Sequence, residues 1–259
     1  MERTTRGKGK QRLLGSHQRC WIWGRNAVLE TLTAGRWPIV ELYLADDLPT
    51  DLQAKAHDLA RPQGLTPVLD TTEGLTRRCH SAEHQGFLAK MTEFPYTAED
   101  ALWPRLSLRP LCALLDGIQD PHNFGAIVRS AEVLGVEAVF IGAAGQTGVT
   151  SLAVRSSAGA VNRVPIVQVA ELEALAGRLK ARGLLLVGAS EKADVPLGAF
   201  DFKRPVALVI GNEGGGIRTG LIKQCDALVA IPQHGRIGSL NAAVAAAVCF
   251  YEAQRQRGG

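Results

Sequence analysis

Three short segments gather the residues able to do chemistry. The first, Asp116-Gly-Ile-Gln-Asp-Pro-His-Asn-Phe-Gly-Ala-Ile-Val-Arg129, follows the continuously apolar run Leu111–Leu115. Asn123 stands where a helix N-cap belongs, and capping accounts for it as well as a functional role does. At about 100° per residue, Arg129 falls nearly opposite Ile127 and Ala131, off the apolar stripe; a solvent-facing arginine and a ligand-binding one both fit. The second segment, Gly211-Asn-Glu-Gly-Gly-Gly216, directly follows the apolar run Val206–Ile210. Its glycines let the backbone approach a ligand closely or take positive φ, and Glu213 among them can cap a helix or anchor a cationic group. It lacks the Gly-Lys-Ser/Thr ending of a P-loop, and it is not a Gly-x-Gly-x-x-Gly dinucleotide fingerprint. The third, Ile231-Pro-Gln-His-Gly-Arg-Ile-Gly-Ser-Leu-Asn241, leads into an alanine-rich helix, with Ser239 as the expected N-cap. His234 has no carboxylate nearby in sequence and reads as a loop residue. No Gly-x-Ser-x-Gly elbow marks a hydrolase.

The elements that must position these segments form two patterns. From Leu111 onward, strands apolar on both faces (Leu111–Leu115, Ala138–Ile141, Leu184–Val187, Val206–Ile210, Ala227–Ile231) alternate with helices, among them Ala170–Arg182 and Leu240–Arg255. That alternation predicts an α/β fold with a parallel sheet covered on both sides, and such sheets bind ligands beyond the carboxyl ends of their strands. Upstream, Trp21 to about Met91 reads as a small α/β unit. Its helices are expected at Gly24–Thr33 and Asp51–Arg61, and its strands at Val40–Leu44, Thr66–Leu69 and Phe87–Met91. Three prolines, Pro95, Pro104 and Pro110, punctuate the stretch between, which suits a linker. The expected division is a tail over 1–19, an N-terminal domain over 20–92, a linker over 93–109 and a C-terminal domain over 110–259.

Composition excludes several classes. Of 259 residues, 46% are hydrophobic and 21% charged, an ordinary globular balance. No apolar run approaches the roughly 20 residues of a membrane span, and with no apolar core behind its basic start the N-terminus is not expected to be a secretory signal. The five cysteines are odd in number, scattered and never in a Cys-x-x-Cys pair, so neither a disulfide scaffold nor a cysteine-rich metal site is expected, and a cytoplasmic setting is. The formal net charge of +4 is unevenly spread: residues 1–19 carry Arg3, Arg6, Lys8, Lys10, Arg12 and Arg19 against Glu2 alone. Such a polar basic arm is expected to be disordered and to attract polyanions.

Taken jointly, the three segments resemble the SpoU (TrmH) family of S-adenosylmethionine-dependent RNA ribose 2′-O-methyltransferases, within the SPOUT superfamily. The residues that carry the resemblance are Asn123-Phe-Gly-Ala-Ile-Val-Arg129, Leu208-Val-Ile-Gly-Asn-Glu213-Gly, and Ile231-Pro with Ser239-Leu-Asn241, in the family's order and spacing. Trp23-Gly-Arg-Asn-Ala-Val-Leu-Glu and His84-Gln-Gly are similar to the substrate-binding domain of the branch acting on guanosine in ribosomal RNA, a domain like ribosomal proteins that grip kinked RNA. Gln233 and Gly238 depart from the family, which usually has Met and an acidic or small residue there.

The resemblance implies a C-terminal SPOUT domain with a deep trefoil knot, a homodimer, S-adenosylmethionine as cofactor and no metal. Asn123, Arg129, Glu213, Ser239 and Asn241 match the family's functional polar positions. Backbone groups around Gly211, Ile231 and Leu240 are expected to cradle the cofactor. The implied substrate is a guanosine of large-subunit ribosomal RNA, with transfer RNA as the alternative. The family account makes the arginine at position 129 a base, but a guanidinium gives up its proton only at great cost; a cation binding the phosphate beside the target ribose suits its geometry better. Two other classes compete: a non-catalytic RNA-binding protein, and a nucleotide-binding oxidoreductase, which the missing fingerprint disfavours. The last helix shows a stripe of Leu240, Val244, Val248 and Tyr251 that serves either core or interface.

Overall fold

The computed structural model describes residues 13–15 and 20–258, and the chain divides into two compact units, 1–95 and 96–259. The first unit runs β1 (Trp21–Trp23), α1 (Arg25–Ala34), β2 (Ile39–Ala45), α2 (Thr50–Ala60), β3 (Val68–Asp70), α3 (Thr72–Cys79) and β4 (Phe87–Met91). Its four strands lie in the order β1-β4-β2-β3. β4 is antiparallel to both neighbours, while β2 and β3 are parallel. Trp37, Phe87, Leu42, Leu44 and Leu75 are fully buried between the sheet and its helices.

The sequence reading missed β1, which is too short to show a period, and α3, whose buried residues are only Gly74, Leu75 and Cys79. A start signal for α3 was present nonetheless: Thr71 Oγ1 accepts from Gly74 N at 3.0 Å, the usual reach of an N-cap side chain. The expectation of a wholly disordered segment over 1–19 needs correction at Leu13 and Leu14. Leu13 bridges to Thr92, Leu14 N donates to Met91 O at 3.2 Å, and both leucines pack on the cluster of Cys20, Trp21, Leu75 and Leu88. The basic residues of the tail lie outside the described residues.

The second unit runs α4 (Glu99–Leu102), β5 (Leu111–Asp116), α5 (Pro121–Val133), β6 (Ala138–Gly142), α6 (Ser151–Ser156), β7 (Ile166–Val169), α7 (Leu172–Ala181), β8 (Leu185–Ala189), β9 (Val195–Pro196), β10 (Val206–Gly211), α8 (Thr219–Ile222), β11 (Ala227–Ala230) and α9 (Ala242–Arg257). Seven strands pair in the order β7-β6-β5-β10-β8-β11-β9, all parallel. Every residue of β5 and β6 is buried, as a sheet covered on both faces requires. The interval 93–109, expected to be a plain linker, carries α4. Leu102 is buried among Leu114, Phe140 and Leu186, and Trp103 stacks on Phe140 beneath the Arg182 guanidinium. Arg178 holds Glu99 through two hydrogen bonds of 2.8 Å.

The sheet order places β10 beside β5, with Gly211 in register with Asp116. β6 and β7 lie on the far side of β5, so the chain changes direction across the sheet between β5 and β10. The loops after these two strands therefore emerge side by side, where open parallel sheets bind ligands.

Candidate active site

The loop after β5 enters α5 through Asp120, whose Oδ1 accepts from His122 N at 2.9 Å, with Pro121 at the first helical position. Proline fits there because its missing N–H has no intrahelical partner to lose. Asn123, expected as the cap, lies within the first turn instead, and its side chain is free to reach across the loops. α5 also packs tightly on α6: a Cβ on Gly125 would collide with Ser156 Oγ and Ala153 O.

The glycine loop after β10 folds back on itself. Asn212 N donates to Gly216 O at 3.2 Å and Gly216 N to Asn212 O at 3.0 Å. Inside that pair, Asn212 Oδ1 accepts from Gly214 N at 2.9 Å and Gly215 N at 2.6 Å, a side chain imitating a backbone turn. Gly211 is required by the resulting closeness, since a Cβ there would overlap the Gly216 carbonyl carbon and the Ile217 nitrogen. This hairpin leaves Glu213 at the tip.

The last loop ends at α9, and its cap is Asn241, correcting the expectation for Ser239. Asn241 Oδ1 accepts from Ala243 N at 2.9 Å and Val244 N at 3.3 Å. The amide nitrogen must then point outward, and it donates to Asn123 Oδ1 at 3.1 Å. Asn123 in turn donates its Nδ2 to Glu213 Oε1 in a short hydrogen bond. One residue from each motif thus joins a directional chain, from the α9 backbone through Asn241 and Asn123 to the Glu213 carboxylate.

Beside this chain opens a cavity of about 430 Å³, lined by Gly211, Glu213, Ser239 and Leu240 among others. Ile231 lines a smaller adjoining space of about 80 Å³ that shares Ser239 and Leu240. Two charged residues that sequence reasoning passed over, Glu191 and Lys192 after β8, also face the larger cavity; no local signal distinguishes them from any polar loop.

Arg129 is exposed and makes no hydrogen bond or ion pair to the other four polar residues. Six residues beyond Asn123, it stands about 120° around the helix and about 9 Å along it. A single chain therefore assembles Asn123, Glu213 and Asn241 beside Ser239, and holds Arg129 apart.

In the first unit, the two motifs noted in the sequence also meet. Gly24 N donates to Phe87 O at 3.2 Å, and Arg25 N to Gln85 Oε1 at 3.1 Å. The start of α1 is thus capped from 60 residues away. His84, buried, accepts from Gly86 N through Nδ1 at 3.0 Å, which leaves Nε2 to donate to Thr76 Oγ1 at 3.1 Å. Its role is to shape this turn, and Arg25, Asn26 and Gln85 stay exposed around it.

Two family descriptions match the chain: "SpoU rRNA Methylase family" over residues 110–251, and "RNA 2'-O ribose methyltransferase substrate binding" over 21–97. The 23S rRNA (guanosine-2'-O-)-methyltransferase RlmB of Xanthomonas campestris is 35% identical over 247 residues, covering 94% of this chain and 99% of that protein. RlmB of Shewanella oneidensis is 33% identical over 239 residues, covering 91% and 97%. Among solved structures, the SpoU methyltransferase AviRb of Streptomyces viridochromogenes in complex with AdoMet superposes with a TM-score of 0.78 at 29% identity, covering 92% of this chain and 90% of that one. A parallel sheet whose adjoining loops join the three motifs by hydrogen bonds beside one cavity is thus, here, the framework of an S-adenosylmethionine-dependent RNA methyltransferase. The chain belongs to the SpoU rRNA methylase family.

Proposed function

We propose that this enzyme methylates the ribose 2′-hydroxyl of a guanosine in 23S ribosomal RNA, working as a homodimer in the cytoplasm. The observation that carries the site assignment is the hydrogen-bonded chain Asn241–Asn123–Glu213 beside the cavity. The cavity suits the donor: Ile217 and Leu240 offer apolar walls for an adenosine, and Glu191 and Lys192 offer opposite charges for the ammonium and carboxylate of the methionine end. Its volume lies within the range of about 300–1,000 Å³ usual for small-molecule sites.

When bound, S-adenosylmethionine supplies an electrophilic methyl on a sulfonium. The protein's task is to hold the 2′-oxygen about 3–3.5 Å from that carbon, in line with the breaking bond. Ser239, Asn123 and the Glu213 carboxylate provide the polar edge at which the ribose is oriented. Arg129, a cation with a planar fork that stands apart from these residues, binds a phosphate next to the target nucleotide, and the proton of the hydroxyl leaves to phosphate or water.

The homodimer is supported by α9, whose buried side is Ala242, Ala243, Ala246, Cys249, Phe250 and Ala253, while Val244 stays 48% and Tyr251 59% exposed on the opposite side. Free thiols at Cys20, Cys79, Cys112, Cys225 and Cys249 are consistent with a reducing compartment. The test is methyl transfer from labelled S-adenosylmethionine to 23S rRNA and to tRNA in parallel, with the modified ribose mapped. Incorporation into a guanosine of 23S rRNA is expected; incorporation into tRNA alone overturns the substrate, and none into either overturns the activity.

A further inference from the structure

Asp116 ends β5, and its carboxylate is 1% exposed. It lies in register with Gly211, the first residue of the glycine loop. Its Oδ2 accepts from Arg218 N at 2.7 Å and its Oδ1 from Arg218 Nε at 2.6 Å. Arg218 follows Ile217, the residue at which the same loop re-enters the buried core. The loop thus leaves the sheet beside Asp116 and returns to Asp116.

A buried carboxylate needs a charged or hydrogen-bonding partner, and here both come from one residue, through its main chain and its side chain. Burial works against the charge on Arg218, but its hydrogen bond and proximity to Asp116, with Glu173 behind at 4.0 Å, more than restore it. Nothing else described reaches the Asp116 carboxylate by hydrogen bond. Within the loop, Asn212 ties the tip; the ends are tied by Asp116.

We propose that Asp116, through Arg218, is the positioning residue of the cofactor loop: it sets the separation of the loop's two ends, and so the place of Gly211 and Glu213 against the cavity. The inference rests on the reading of that cavity as the S-adenosylmethionine site. Neither residue lines the cavity, so their effect on the cofactor is indirect.

The test uses the full-length enzyme with three variants: Asp116→Asn, Arg218→Gln and Arg218→Lys, plus the double variant Asp116→Asn/Arg218→Gln. Binding of S-adenosylhomocysteine is measured by calorimetry, with steady-state kinetics and thermal melts alongside. We expect Asp116→Asn and Arg218→Gln each to weaken binding about tenfold, corresponding to about 1.4 kcal/mol. The double variant should be no weaker than the worse single one, because both remove the same carboxylate–guanidinium pair. Arg218→Lys should fall between, since an ammonium restores charge without the fixed Nε direction. KM for S-adenosylmethionine should rise in the same ratios, and kcat should fall alongside, because the displaced loop also carries Glu213. If Asp116→Asn fails to fold, the two Arg218 variants, whose side chain is half-exposed, decide the matter. Unchanged affinity in folded Arg218 variants overturns the positioning role, as do additive effects in a folded double variant. Absence of binding by the wild type overturns the reading of the cavity itself.

Discussion

Asn241 and Asn123 are 118 residues apart and share a hydrogen bond of 3.1 Å whose direction is dictated by a helix cap. Because Asn241 spends its oxygen on the first amides of α9, only its nitrogen is left to face Asn123. Asn123 must then offer its own nitrogen to Glu213. The backbone of a helix thereby orients a carboxylate one loop away.

Capping and orientation separate in Asn241→Asp. An aspartate caps as well as asparagine but has no N–H to offer Asn123 and sets a second carboxylate near Glu213. The variant should melt within about 1 kcal/mol of wild type while methyl transfer falls by more than about tenfold. A variant with full activity would show that the relay plays no part in turnover.

Arg129→Lys keeps the charge and removes the planar fork. The side chain is exposed, so the melting temperature should not move, and turnover on RNA should drop by about tenfold or more, a loss of at least about 1.4 kcal/mol in transition-state stabilisation. Near-full turnover would rule out bidentate phosphate binding.

Val244→Glu places a charge in the centre of the exposed apolar side of α9. Light scattering of wild type should give twice the 27.7 kDa of the chain, and the variant should approach the single mass. A wild-type particle of 27.7 kDa at micromolar concentration removes the dimer.

Arg257, near the end of α9, donates to four backbone carbonyls: Phe202 O at 2.9 Å, Arg109 O at 2.6 Å, Arg204 O at 2.7 Å and Pro110 O at 3.3 Å. These precede β10 and β5, so one side chain pins both central strands at their starts. Arg257→Ala should destabilise by about 3 kcal/mol, since charged hydrogen bonds are lost and partly buried acceptors are left without partners. Urea unfolding measures this; a loss under about 0.5 kcal/mol would mean that water replaces the guanidinium.

Acid should weaken the second unit in a defined window. The hydrogen bonds from Arg255 and Gln256 hold the Glu252 carboxyl at about 2, below its ordinary 4.5. Burial raises the Asp226 carboxyl, but Lys180 at 2.8 Å and the Leu186 N–H outweigh it, and the net direction is down. A carboxylate whose folded value is depressed contributes stability above its unfolded value and loses it as pH falls toward the folded one. Melting temperatures should therefore decline from about pH 4.5 toward pH 2, and Glu252→Gln should flatten that decline. An unchanged slope in the variant would leave Glu252 without a share in it.

What the sequence determined by itself was the alternation of buried strands and helices after Leu111, and the loops that hold the chemistry. Both are local: a strand buried on both faces must be continuously apolar, and glycine, asparagine and proline mark turns whatever they meet later. Polar positions such as Asn123, Glu213 and Asn241 were legible because they stand in motifs similar to a family's. Which of these residues touch was settled by the packing of distant segments. Asp120 rather than Asn123 caps α5, and Asn241 rather than Ser239 caps α9, because several polar residues near a helix start are equally able to cap and the fold selects one. Short elements such as β1, α6 and β7 carry too few residues to show a period. Asp116 reads in sequence as the end of a strand; its tie to Arg218, 102 residues on, arises only because β10 lies next to β5. The separation of Arg129 from Glu213 is likewise a matter of helix phase and strand order, which no run of neighbouring residues encodes.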